Sequence, residues 1–73
     1  MDLDRSVPFA PQVAADLRRR LDAGEWQRGG KFLGTVAISA EYDISQSTAV
    51  RAVAVLVAEG RLRKELPRGF IVV

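Results

Sequence analysis

In the first third of the chain apolar residues recur at every fourth position: Val13, Leu17 and Leu21, with Ala10 and Ala14 beside them. That interval lays them along one stripe of an α-helix. Pro8 and Pro11 suit the approach and first turn, where a missing N–H does no harm, and Gly24 ends the stripe. The pattern predicts a first helix over roughly 10–23. Gly24-Glu25-Trp26-Gln27-Arg28-Gly29-Gly30 is punctuated by glycines and reads as a turn, with Trp26 folded back onto the core. Lys31-Phe32-Leu33 is a candidate short strand. Gly34-Thr35 then offers a helix start, with Thr35 the stronger N-cap, and Ile38 and Tyr42 face inward from a short second helix near 35–42.

Asp43-Ile44 forms the next turn and Ser45 caps a third helix, whose inward face is Ala49, Ala52, Val53 and Leu56. Gly60 terminates it in the left-handed conformation. Beyond it, Arg61-Leu62-Arg63-Lys64-Glu65 alternates, Leu66-Pro67-Arg68-Gly69 bends, and Phe70-Ile71-Val72-Val73 is a second β-prone run, giving a hairpin. Because the last run lacks alternation, either Phe70 and Val72 or Ile71 and Val73 could face inward. A short turn with a small cap residue sets the second and third helices at ~90 to 120° and presents the N-terminal turn of the third outward. The expected fold is mainly α with a small β-hairpin, a three-helix winged helix-turn-helix over residues 8–73 behind a flexible leader, residues 1–7.

A chain of 73 residues holds one small domain, burying only about 60% of the surface its unfolded form exposes. Neither cysteine nor histidine occurs. Their absence removes disulfides, thiol nucleophiles, thiolate or imidazole metal sites and any Ser-His-Asp triad. No catalytic residues, no metal site and no cofactor are expected, and an enzyme is disfavoured. Met1-Asp2-Leu3-Asp4-Arg5 lacks the apolar run of a signal peptide, and no segment reaches the ~18 to 20 apolar residues needed to cross a bilayer. The expectation is a soluble cytoplasmic protein, nucleoid-associated, with no membrane partner and no small-molecule effector site in this chain.

The overall charge of +2 is mild, but it is unevenly spread. Residues 1–43 carry six basic and seven acidic side chains, a net of −1, whereas residues 44–73 carry five against two, a net of +3. The positive half is the one with the helix-turn-helix signal. At the start of the third helix, Ser45, Ser47 and Thr48 either cap the helix or lend hydroxyl and N–H groups to phosphates, with Gln46 reaching a base edge. Arg51 is the only charge between Ser45 and Ala58, which favours a phosphate or base contact. Arg61, Arg63, Lys64 and Arg68 either keep an edge hairpin soluble or meet the backbone beside the groove. Arg18-Arg19-Arg20 points in three directions, and Asp16–Arg20 and Arg18–Asp22 are four-residue pairs, so a solvated face is expected there.

Several short motifs in order resemble the winged helix-turn-helix domain of the gluconate-operon repressor (GntR) family of bacterial transcription regulators. They are Val13-Ala14-Ala15-Asp16-Leu17-Arg18, Gly24-Glu25-Trp26, Ala40-Glu41-Tyr42, Ile44-Ser45-Gln46-Ser47-Thr48, Ala58-Glu59-Gly60 and Arg68-Gly69. The resemblance implies DNA binding, with Ser45, Ser47, Thr48, Arg51, Arg68 and Gly69 at positions that lie at or near the phosphates or the groove; Thr35, Gln46, Arg63 and Lys64 complete the candidate contacts, and double-stranded DNA is the expected partner. Members of that family typically carry arginines where this chain has Val36, Gln46 and Val50, and usually a proline and acidic residues where it has Leu33-Gly34-Thr35. Glutamine pairs bidentately with adenine where arginine suits guanine, so a different site is implied.

Val50, Ala54 and Val57 recur at i, i+4 and i+7 on the side of the third helix away from its core face, with Val36 near them and Phe70 and Val72 in the last run. An exposed apolar surface of that kind marks a partner site, which points to a homodimer or a second protein. The alternative function is therefore a degenerate winged helix that docks proteins through this face.

Overall fold

The stripe of Val13, Ala14, Leu17 and Leu21 is buried along α1 (Phe9–Asp22) in the computed structural model, which describes residues 3–73. Two further helices follow, α2 (Thr35–Tyr42) and α3 (Gln46–Ala58), then strands β1 (Leu62–Glu65) and β2 (Gly69–Val72). The fold is three helices with a C-terminal antiparallel hairpin, a winged helix-turn-helix. α3 is the central element, packed against α1, α2 and β1. Its inward residues are the expected four, Ala49, Ala52, Val53 and Leu56, all buried. Alanines at two of those positions leave room for close-packed neighbours on either side.

Between α2 and α3 the chain turns on Asp43, which takes the left-handed conformation (φ 55°) that a short polar side chain tolerates. Buried Ile44 pins the turn, its N–H donating to the Ser39 carbonyl (3.1 Å) while the Ser39 hydroxyl donates to the Ile44 carbonyl (2.9 Å). Gly60, at φ 78°, closes α3 in the manner expected. The start of α2 differs: Gly34, not Thr35, is the N-cap, and its carbonyl accepts from the Ile38 N–H at 3.0 Å. The helix still covers the expected 35–42, but Thr35 lies within its first turn without a side-chain cap bond.

In the hairpin Leu62 pairs with Val72 and Lys64 with Phe70, so these four share one sheet face. Leu62 and Val72 enter the core and Phe70 packs at its margin. Ile71, on the opposite face, is also fully buried. The segment from Gly29 to Phe32 runs along the outer edge of β2, with N–H to carbonyl bonds from Gly29 to Val72 (2.7 Å), Val72 to Gly30 (2.9 Å) and Phe32 to Phe70 (2.8 Å). Lys31-Phe32-Leu33 contributes a single bridge, Lys31 to Ile71, rather than a strand. Val72, expected on the outer apolar face, is a core residue, and both parities of β2 side chains are covered, Ile71 on one face and Val72 on the other.

A polar network ties α1 to the rest. Arg20 pairs with Glu25 and with Glu41 (3.0 Å) and donates to the Tyr42 hydroxyl (2.9 Å), which in turn donates to Asp16 (2.6 Å). Arg19 holds Asp16 (2.8 Å), Arg18 reaches Glu59 at the end of α3 (2.5 Å), and Arg61 reaches Asp22 (2.6 Å). The expected pairs Asp16–Arg20 and Arg18–Asp22 do not form, because acids distant in sequence compete for the same guanidinium groups. Nor is Arg20 solvated: its side chain is 17% exposed and its guanidinium stacks over Trp26 at 4.9 Å. Burial tends to raise the Asp16 carboxyl pKa, but the Tyr42 hydroxyl and Arg19 outweigh it and hold the group below its ordinary value. Burial and then the bond to Asp16 push Tyr42 up to about 12 against the opposing pull of Arg20.

Of the leader, residues 1 and 2 lie outside the described residues. The remainder is hydrogen-bonded to α1: the Asp4 N–H donates to Gln12 Oε1 (2.7 Å), Gln12 Nε2 returns a bond to the Asp4 carbonyl (2.8 Å), and Leu3 packs on the core.

Candidate nucleic-acid interface

The N-terminal turn of α3 stands at the surface because the Asp43–Ile44 turn lifts it clear of α2. Ser45, Gln46, Ser47, Val50 and Arg51 are exposed, Thr48 is half-buried, and only Ala49 in this segment is buried. The Ser45 hydroxyl caps the helix, accepting from the Thr48 N–H at 3.2 Å, and lies 3.2 Å from the Ser47 hydroxyl and 2.9 Å from that of Thr48. The three hydroxyls are thus meshed with one another. The cap engages the Thr48 N–H, while the helix terminus keeps partial positive charge directed outward.

Cations flank this turn in two states. Among the described residues Arg51 and Lys64 have no ion pair, whereas Arg63 (2.7 Å) and Arg68 (3.1 Å) both lean on Glu65. Those wing pairs are exposed and sequence-adjacent, a type worth little in water, so a phosphate can compete for either arginine. The two arginines hold the Glu65 carboxyl below its ordinary range, Arg63 contributing the larger part. Gly69, at φ 97°, needs the freedom of a residue without Cβ to close the wing tip, and Thr35 sits half-buried at the start of α2. All ten candidate DNA-contact residues are accessible, though they are spread over α2, the start of α3 and the hairpin and not gathered in one cavity.

The apolar candidates divide. Val36 is 66% and Val50 53% exposed, while Val57 and Ala54 are exposed farther along α3. Val50, Ala54 and Val57 line an open groove of about 320 Å³ with Ala58, Phe70 and the stem of Lys64. Ala58 was not among the residues expected on this face; its spacing of four from Ala54 was the available signal. Val72 lies in the core and takes no part.

The outward α3 terminus and the hairpin wing define the class, a winged helix-turn-helix domain, and the solved structures that it matches give its fold as that of GntR-type DNA-binding domains of transcription regulators. The chain superposes on the N-terminal domain of AraR, solved in complex with mutant ORR3, with a TM-score of 0.85 at 21% identity, covering 92% of this chain and 96% of that one. It also matches a protein assigned to the GntR family of transcriptional regulators, with a TM-score of 0.81 at 31% identity over 92% of this chain and 26% of the other. A third match is YydK from Bacillus subtilis, a possible transcriptional regulator, with a TM-score of 0.79 at 21% identity over 86% of this chain and 28% of that one. The chain thus spans about a quarter of the length of the latter two proteins. No protein-family model and no curated protein matches the sequence. Among the described residues no helix is long and apolar enough to cross a membrane.

Proposed function

We propose that this chain binds double-stranded DNA sequence-specifically, as a small transcription regulator or accessory factor in the cytoplasm, on the nucleoid. The carrying observation is the exposed Ser45–Arg51 segment at the tip of α3, flanked by the unpaired cations Arg51 and Lys64. The α3 tip enters the major groove, where Gln46 reads a base edge and the Ser47 and Thr48 hydroxyls meet phosphates. Arg51, Lys64 and the wing arginines neutralise the backbone, and Thr35 approaches it from α2. The likeness to regulators of transcription rather than to enzymes agrees with a binding role. A single domain of this size makes few contacts, so the protein acts as a homodimer on half-sites about 34 Å apart, or beside a second protein.

The test is fluorescence anisotropy on duplex DNA across a salt series. Log K falls with log salt at a slope near −0.9 per phosphate neutralised. Affinity that does not respond to salt counts against the reading.

The apolar groove on α3 favours a second reading, in which the wing and α3 dock a protein through Val50, Ala54, Val57 and Phe70; Val36, exposed on α2, does not line that groove. On that reading Val50→Glu combined with Val57→Glu lowers the mass found by light scattering or abolishes capture of the partner, while duplex binding is absent from the start.

A further inference from the structure

Gln46 and Val50 are one helical turn apart on the same side of α3, and both side chains are exposed. Four residues advance about 6 Å along the helix axis, comparable to one or two steps of about 3.4 Å in a DNA duplex. An element that brings the Gln46 amide to a base edge therefore brings the Val50 methyl groups to the same base pair's neighbours.

In the major groove a valine has a single distinctive partner. The donor and acceptor atoms of adenine, guanine and cytosine would be desolvated against it with no bond in return, whereas the thymine 5-methyl group is apolar. The polar groups nearby do not substitute for it. Thr48 is half-buried and engaged with Ser45, and Ser47 also lies against that hydroxyl. The base-reading part of the α3 tip thus reduces to an amide followed by an apolar patch, a pairing suited to A·T steps.

Building on the DNA-binding reading, we propose that Val50 is a specificity-determining residue that packs on the 5-methyl group of a thymine, within one or two base pairs of an adenine bound by Gln46. A guanine or cytosine at that step would be rejected by the cost of burying its polar edge, not by a lost hydrogen bond.

The experiment starts with the full chain and a randomised duplex library, from which bound sequences are selected, and then replaces each thymine of the selected site singly by uracil. Uracil keeps every hydrogen-bonding atom and lacks only the methyl group. At one position the exchange should weaken wild-type binding by about three- to fivefold, the effect of one methyl group removed from apolar contact. Val50→Ala should bind thymine and uracil duplexes alike at that position, and Val50→Arg should move the selected base toward guanine. Because Val50 is 53% exposed, both variants should keep the fold, which circular dichroism verifies. Salt-sensitive binding that is indifferent to uracil at every position, or that selects no sequence, overturns the thymine contact and leaves DNA binding standing. Loss of all salt-sensitive duplex binding in the wild type overturns the parent reading and this one with it.

Discussion

The two sides of the molecule spend their charges differently. On α1 the arginines are committed within the domain: Arg18 to Glu59, Arg19 to Asp16, and Arg20 to Glu25, Glu41 and Tyr42. Around α3 and the wing, Arg51 and Lys64 are uncommitted, and exposed valines lie where the α1 side has ion pairs. A run of three arginines is therefore a brace, while one isolated arginine is the better candidate for a polyanion contact. Counting basic residues would rank them the other way.

The sharpest contrast runs through α3 itself, where fully buried Leu56 adjoins exposed Val57. Leu56→Ala should lower stability by about 2 to 5 kcal/mol, enough to unfold much of so small a domain. Val57→Ala should stay within about 0.5 kcal/mol; thermal melts by circular dichroism compare the two, and equal losses would mean that the outer face is also structural. Next comes the brace. Arg20→Ala leaves the Tyr42, Glu41 and Glu25 oxygens without their shared donor and should cost roughly 1 to 3 kcal/mol. Arg19→Ala, on a mostly exposed side chain, should be close to neutral. If denaturant midpoints move equally, the network is not what fastens α1 to α2.

Binding gives the converse test. Arg51→Ala should reduce the magnitude of the duplex-binding salt slope by about 0.9, one phosphate, without changing the melt. Arg18→Ala should leave the slope untouched.

A last contrast is one of pH. Tyr42 is the only tyrosine, so its phenolate absorbance reports one site. Its midpoint should lie near 12 and not at the ordinary 10.0. A folded-state pKa above the unfolded one favours the protonated form, so this contribution is fully present below pH 10 and is lost as pH rises toward about 12. Asp16 and Glu59 behave oppositely: with depressed values, they stabilise above the ordinary carboxylate range, and that stability is lost as pH falls through their folded-state values. A Tyr42 midpoint at the ordinary value would mean that the Asp16–Tyr42 bond is not maintained in solution.

Periodicity, glycine stops and the Ser45 cap were enough to locate all three helices, the turn that projects α3 and the hairpin, and the order of short motifs pointed to the GntR-type fold. Those features are local. Each depends on neighbours within a few residues, which the sequence displays directly. The inward face of α3 was legible for the same reason, as was the exposed stripe of Val50, Ala54 and Val57.

What only the tertiary structure decided involves partners far apart in the chain. Helical spacing offered Asp22 to Arg18 and Asp16 to Arg20, but packing brought Glu59 and Glu41 within reach, and the guanidinium groups took them. Likewise β2 gave no alternation because both of its faces are covered, Ile71 and Val72 alike being buried, while the Gly29–Phe32 segment pairs with its outer edge. Which cations are spent in the fold and which are left for a ligand is a competition among distant groups, settled by three-dimensional proximity rather than by sequence spacing.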